Sequence, residues 1–142
     1  MFSREESRKI RQEFWISFGK SFPTKWILYH TKIKDFSFKF HFDTKKARVM
    51  IDIEDQDLEK RIAYYEKMVS LKSLLEETIP DVIYEDCFFL ENGKEISRIY
   101  VEKTGVSIHN KNTWQEAMVF LNETMQKFEA FYRDYEDVIK AI

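Results

Sequence analysis

The chain has 142 residues, a formal net charge of −2 and 16% aromatic residues, but only three Gly and two Pro. This length suits one core, so we expect a single domain over residues 1–142, and the composition excludes a disordered chain. The single cysteine, Cys87, cannot form an internal disulfide or a paired-cysteine metal motif. The charged N-terminus and the lack of a long apolar run predict a cytoplasmic protein that is neither exported nor membrane-spanning.

Charge is distributed unevenly along the chain. Residues 20–48 contain eight Lys or Arg and two acids, whereas residues 49–95 contain five Lys or Arg and thirteen acids. Such asymmetry either steers charged partners or is neutralised by pairing within the fold, and the sequence leaves both alternatives open.

The first helix is predicted over residues 3–20, where Ser3 and Glu6 have the spacing of a capping box and an apolar stripe follows. Residues 25–34 are left as a loop or a short helix. A β-hairpin comes next, because Phe36, Phe38, Phe40 and Phe42 alternate with polar residues, as do Ala47, Val49, Ile51 and Ile53. A turn at Thr44-Lys45 pairs every Phe with an aliphatic residue, which specifies the register and predicts that Phe38 and Phe40 are core residues.

A second helix, capped by Asp55 or Asp57, is predicted to end at Pro80 and to pack through one apolar face. That face consists of Leu58, Ile62, Tyr65, Val69, Leu71, Leu75 and Ile79. The dipeptide Asn92-Gly93 then predicts a second hairpin with a two-residue turn and positive φ at both residues. This turn places Leu90 opposite Glu95, Phe88 opposite Ser97, Cys87 opposite Arg98 and Glu85 opposite Tyr100.

The last helix is predicted over residues 113–142, with Thr113 and Glu116 as a capping box and an apolar stripe along its length. The fold class is therefore α+β, in the order α-ββ-α-ββ-α. We expect a four-stranded, largely antiparallel sheet with helices on its apolar face and a long C-terminal helix.

Short landmarks spread over nearly the whole chain support a resemblance. They are Phe14-Trp15, Ile51-Asp52-Ile53-Glu54, Leu74-Leu75-Glu76-Glu77 before Tyr84-Glu85, Arg98-Ile99 and Thr113-Trp114-Gln115-Glu116. In these the chain resembles a bacterial family of unknown function whose domain occurs alone or after a restriction-endonuclease-like nuclease domain. The resemblance implies a context near nucleic-acid processing or defence, and it carries over no functional residues.

The sequence does not contain the nuclease site itself. A restriction-like site needs an acid and then an acid-any-Lys triplet on the next strand, so that carboxylates and Lys converge on Mg²⁺. After Asp81, the chain offers only Glu102-Lys103, which are adjacent, and Glu91 with Lys94, which are too far apart. Adjacent strand residues point to opposite faces, so the spacing argues against an enzyme of this kind.

Two groups of polar residues are candidate sites. Glu85, Arg98, Tyr100 and Glu102 are predicted on one face of the second hairpin, either as a polar site or as a structural ion-pair cluster. On the first hairpin, His41 with Asp52 and Glu54 could bind a metal, but Arg48 is opposite His41 and a solvated salt-bridged face is favoured. We therefore predict no metal and no cofactor.

Two functions follow as hypotheses. The first is a non-enzymatic interaction module, with a nuclease or another protein as partner, that forms a homodimer through the apolar end of the last helix at Tyr135, Val138, Ile139 and Ile142. The alternative is weak, sequence-independent nucleic-acid binding by cations on the first hairpin, namely Lys39, His41, Lys45, Lys46 and Arg48.

Overall fold

The computed structural model describes residues 2–142. Its elements are α1 (Arg4–Ser21), β1 (Phe36–Phe42), β2 (Lys46–Ile53), α2 (Leu58–Ser70), α3 (Lys72–Glu76), β3 (Ile83–Phe89), β4 (Glu95–Thr104), a 3₁₀ turn (Lys111–Thr113) and α4 (Trp114–Lys140). The predicted α+β order is confirmed, with the second helix divided into α2 and α3 at Leu71. No helix in this range is long and apolar enough to cross a membrane.

The four strands form one antiparallel sheet in the order β1-β2-β4-β3. The register of the first hairpin is as predicted, from Phe36 opposite Ile53 to Phe42 opposite Ala47. The Phe residues of β1 and the aliphatic residues of β2 join α1 and α4 in one core. We call this side of the sheet the helix face and the other side the open face.

The second hairpin differs from the prediction in turn and register. Leu90 N–H donates to Lys94 O at 2.9 Å and Gly93 N–H to Leu90 O at 2.8 Å, so the loop has three residues and only Gly93 has positive φ there. Glu95 consequently pairs with Phe89 instead of Leu90, and an irregularity between Glu85 and Phe88 shifts the register again. The predicted two-residue turn is wrong because a type I turn followed by a left-handed Gly also fits an Asn-Gly sequence.

The two predicted capping boxes have different outcomes. At α1 the box is present, with Glu6 N–H donating to Ser3 Oγ at 3.1 Å and Ser3 N–H to Glu6 Oε1 at 3.3 Å. At α4 it is not, because the Thr113 hydroxyl donates to the carbonyls of Ser107 and Asn110 at 2.9 and 2.7 Å. A 3₁₀ turn, capped by the Asn110 side chain, precedes α4 instead.

The orientation of α2 also differs from the prediction. Leu58, Ile62 and Val69 are exposed, whereas Arg61 and Met68 on the adjoining face are buried. Arg61 fixes this rotation, because its guanidinium donates to the Glu95 carbonyl at 2.9 Å and to the Glu95 carboxylate at 3.0 Å. The later members of the predicted face, Leu71, Leu75 and Ile79, are buried as expected.

Residues 25–34 are irregular and not helical. Leu28 and Lys32 have positive φ, and the Thr31 side chain donates to the carbonyls of Ile33 and Phe36 at 3.1 and 2.6 Å. The Tyr132 hydroxyl of α4 donates to Thr31 O at 2.6 Å, which ties this segment to the last helix.

Candidate functional site

The open face brings the two predicted groups of polar residues together. The β2–β4 pairing places Arg48 opposite Glu102 and Asp52 opposite Arg98. Because these strands belong to different hairpins, no local turn signal in the sequence specified this pairing. The face carries Lys39 and His41 of β1, Arg48 and Asp52 of β2, Arg98, Tyr100 and Glu102 of β4, and Glu85 of β3.

The centre of the face is a fully buried carboxylate, Asp52. Arg98 binds it in bidentate fashion, with Nε–Oδ1 at 2.7 Å and Nη2–Oδ2 at 2.9 Å, and Lys39 Nζ lies 3.1 Å from Oδ2. Lys39 also binds Glu54 at 2.8 Å. Burial alone would lower the pKa of Lys39, but hydrogen bonds and charge from Glu54 and Asp52 outweigh it and raise that pKa.

The four predicted polar-site residues lie on this face, and each bonds to another residue there. Tyr100 Oη donates to Glu85 Oε1 at 3.0 Å, and Arg48 Nε binds Glu102 Oε1 at 2.6 Å. Burial and then the neighbouring Glu85 carboxylate raise the pKa of Tyr100. The Arg98 guanidinium lies 4.2 Å from the Phe88 ring centre, so its outer surface is covered by an aromatic ring. Each of the four side chains therefore already has a polar partner within the chain.

Most of the candidate binding residues of the first hairpin have an acidic partner. Besides Lys39, His41 Nε2 lies 2.8 Å from Asp43 Oδ2, Lys46 Nζ lies 4.0 Å from the same oxygen, and Arg48 binds Glu102. Among residues 2–142, Lys45 makes no ion pair. A cation that is already paired releases fewer counterions from DNA, so this geometry weakens the case for nucleic-acid binding.

The candidate metal ligands are separated by the same pairings. His41 binds Asp43, whereas Asp52 and Glu54 bind Arg98 and Lys39. Across residues 2–142, no three His, Cys, Asp or Glu side chains are arranged to hold a metal ion.

The four residues predicted for a dimer interface do not share one environment. Ile139 is fully buried in the chain's own core, so it does not overhang the domain as expected. Tyr135 is half-buried and packs against Phe131 at a ring-centre distance of 4.8 Å. Val138 and Ile142 are exposed. Helix α4, about 40 Å long at about 1.5 Å per residue, therefore leaves only two of the four apolar side chains available to a partner.

A groove between α2 and β3 was not predicted from the sequence. Its volume is about 480 Å³, and we call it the α2 groove. Apolar side chains of α2, namely Leu58, Ile62 and Tyr65, lie in one wall, and residues of strands β3 and β4 form the other wall. Its lining is Leu58, Arg61, Ile62, Tyr65, Glu66, Asp86, Cys87, Glu95 and Ser97. The period of the stripe was readable in the sequence, but the rotation of the helix about its axis was not.

These features define an α+β domain with helices on one face of a four-stranded sheet, a paired charge network on the other and a groove beside α2 that is lined by both apolar and charged residues. The chain belongs to the family described as a domain of unknown function (DUF4268), whose model matches residues 10–136. The match extends from α1 into the last turns of α4, so the whole sheet is part of the family domain. No curated protein and no solved structure matches the chain.

Proposed function

We propose that the protein is a non-enzymatic interaction module that binds a basic, apolar segment of a partner protein in the α2 groove. The observation that carries the proposal is the outward apolar stripe of α2, where Leu58, Ile62 and Val69 are 55%, 44% and 41% exposed. Phe89, paired with Glu95 on the same face, is 63% exposed. Leu58 and Ile62 line the α2 groove, whereas Val69 and Phe89 are outside its lining. Exposed apolar side chains beside a groove are typical of binding sites.

The charge of the groove lining indicates what kind of peptide segment the α2 groove can bind. Glu66 and Asp86 line the groove, and within residues 2–142 neither makes an ion pair. Burial, followed by the charges of Asp86 and Glu85, raises the pKa of Tyr65 in the groove wall, which indicates a negative environment. Lys or Arg side chains flanking apolar residues would complement this surface.

The same charges oppose a second copy of the chain as the occupant. The stripe residues 58, 62, 65 and 69 could form a seam between two antiparallel α2 helices related by a twofold axis. In that arrangement the helix edge carrying Glu59 and Glu66 would face the same edge of the other copy. Like charges in contact destabilise an interface, so a different, basic partner is favoured.

The single cysteine, Cys87, allows a crosslinking probe to be attached inside the α2 groove. Cys87 is exposed and lines the groove, although the neighbouring Glu95 carboxylate raises the pKa of its thiol, so labelling needs excess reagent. A benzophenone attached there should photo-crosslink the partner segment in an extract of the source organism. The matched control carries Cys87→Ser and Gln12→Cys, which moves the label to an exposed position on α1.

The crosslinked segment is then synthesised and titrated against the purified domain. We expect a basic, apolar sequence whose affinity falls at least about tenfold in Ile62→Glu and in Asp86→Lys, as for removal of one apolar anchor or one charge pair. Equal crosslinking from both label positions, or unchanged affinity in both variants, would contradict the proposal. Through the family resemblance, a nucleic-acid-processing protein is the first partner to test.

Self-association through α4 is a separate proposal, and fewer exposed side chains support it than the sequence predicted. It would rest on Val138 and Ile142, because Ile139 is buried. Light scattering at tens of micromolar checks it directly, and a mass of 17.3 kDa would contradict it.

A further inference from the structure

The outer edge of β1 offers backbone hydrogen-bonding groups to a partner. β1 is an edge strand, and Phe38 N–H points away from β2, because it donates to Leu28 O at 3.0 Å. On the other side, Asp43 N–H donates to Lys46 O at 2.9 Å across the hairpin. Since antiparallel pairing alternates, the N–H and C=O of Phe40 and Phe42 also point to the edge.

The edge is covered over its first half, and just beyond its end Ile108 N–H donates to Asp43 O at 2.9 Å, so Phe40 and Phe42 are the open part. The segment before β1 bonds to Phe38 N–H and, through Thr31, to Phe36 O. Outside the β1–β2 ladder, no hydrogen bond within residues 2–142 reaches Phe40 or Phe42. The opposite edge strand, β3, is interrupted by a register shift, which is a common protection against strand addition, whereas β1 pairs without interruption over its seven residues.

Two clefts lie along β1 and share Trp15 and Phe40. One, of about 350 Å³, is also lined by Leu28, Tyr29, Phe38 and Lys39. The other, of about 630 Å³, includes Arg11, His41, Phe42 and His109 in its lining. Together we call them the β1-edge groove. Its length along the strand fits a short extended peptide, and its pockets fit alternate side chains of that peptide.

The groove contains one arginine, Arg11, that is available to a partner. Arg11 makes no ion pair with any residue in the range 2–142. Two acids, Asp43 and Glu91, line the larger cleft as well. Asp43 is bound by His41 at 2.8 Å and by the backbone N–H groups of Lys45 and Lys46 at 2.7 and 2.9 Å. Burial would raise the Asp43 pKa, but these bonds outweigh it and lower that pKa, so the acid is already satisfied.

We propose that an extended segment of a partner protein adds to the edge of β1 as a fifth strand. Its residue opposite Phe40 projects to the helix face, onto Trp15, and is apolar. The added strand is antiparallel to β1, so the residue two positions before this one lies opposite Phe42, near Arg11, and carries a carboxylate. This surface is distinct from the α2 groove and selects the opposite charge.

A second copy of the chain does not fit the same edge. In a twofold antiparallel pair centred on Phe40, Phe42 of one copy would face Phe38 of the other. The Phe38 amide is already bonded to Leu28, so such a pair would lack one of the hydrogen bonds that the free edge offers. A free peptide can end before it reaches Phe38, so it does not need that amide.

The test uses the intact ¹⁵N-labelled chain and the probe peptide acetyl-Thr-Asp-Thr-Leu-Thr-amide, whose Leu lies opposite Phe40 and whose Asp lies opposite Phe42 in the antiparallel arrangement. We expect shifts and slowed hydrogen exchange at the Phe40 and Phe42 amides. The same peptide N-methylated at Leu removes the donor to Phe40 O and should bind at least about tenfold more weakly.

Charge variants complete the test. Arg11→Glu should weaken binding at least about tenfold, whereas Lys9→Glu, on the same helix but outside both clefts, should not. Ile62→Glu should leave this peptide's affinity unchanged, which separates the proposal from the α2 groove. Absence of binding, equal binding of the N-methylated peptide, or equal affinity of Arg11→Glu and wild type would overturn it. Protection of Phe40 that grows with protein concentration alone would indicate self-pairing instead and would also overturn it.

Discussion

The guanidinium of Arg98 binds both carboxylate oxygens of Asp52 across strands β4 and β2, at 2.7 and 2.9 Å, and Asp52 has no exposed surface. The two residues come from different hairpins, so their ion pair joins the two halves of the sheet. Because each charge has the other as its partner, both can be buried on the face of the sheet that no helix covers.

Removing one member of this pair leaves a buried charge without its main partner. We expect Asp52→Ala to lower the free energy of unfolding by about 3–5 kcal/mol. Replacing both residues by Leu should recover part of that loss, because no unpaired charge remains. Urea denaturation of the single and double variants measures this coupling, and Glu5→Ala, which removes only an exposed pair with Lys9, is the control. A loss of less than about 1 kcal/mol in Asp52→Ala would contradict the structural role.

The pH dependence of stability should contain a contribution from Glu129. Burial is the largest influence on this carboxyl and raises its pKa above 4.5, although Ile27 N–H and Arg133 favour the charged form. A raised pKa in the folded state means that the favourable contribution is present below 4.5 and is lost as the pH rises through the folded-state pKa.

Glu129→Gln keeps an acceptor for Ile27 N–H and cannot ionise. We expect the stability of wild type relative to this variant to decline as the pH rises above 4.5. Thermal melts at several pH values measure the difference, and Glu123→Gln, an exposed position on the same helix, is the control. A constant difference between wild type and Glu129→Gln across that window would count against the raised pKa.

The two central Phe residues of β1 should differ in their contribution to stability. Phe38 is fully buried, so Phe38→Ala should cost about 3–5 kcal/mol. Phe40 is only half-buried at the β1 edge, which corrects the expectation that both belong to the core, and Phe40→Ala should cost less. Denaturation midpoints at a constant m-value measure both. Equal costs would mean that the edge of β1 is more closed than the structure indicates.

Retention on heparin tests the nucleic-acid alternative. Because Lys46 and Arg48 lie beside carboxylates, replacing Lys45, Lys46 and Arg48 with Ala should change the salt dependence of retention by about one unit of slope or less. A change near three units would support nucleic-acid binding by the first hairpin. The slope of the salt dependence falls by about one for each phosphate that a free cation no longer neutralises.

The local pattern of the sequence determined the secondary structure and the first hairpin. Alternating Phe and aliphatic residues specify one register between Phe36 and Ile53, because a shift by one residue would expose the whole apolar set. The second hairpin was not predictable to the same degree, since both of its faces mix apolar and charged residues and a shift by one residue carries no clear penalty. The loop around Gly93 therefore decided its register.

The sequence by itself determined which elements form, their order and the α+β class, because these depend on period, capping and turn residues that lie close together in the chain. Only the tertiary structure decided which strands of the two hairpins are neighbours, and hence that Asp52 meets Arg98. It also decided the rotation of α2, which turns Ile62 outward because Arg61 binds Glu95. Contacts between distant segments control both outcomes, and a periodic pattern shows that a face is apolar without showing what covers it.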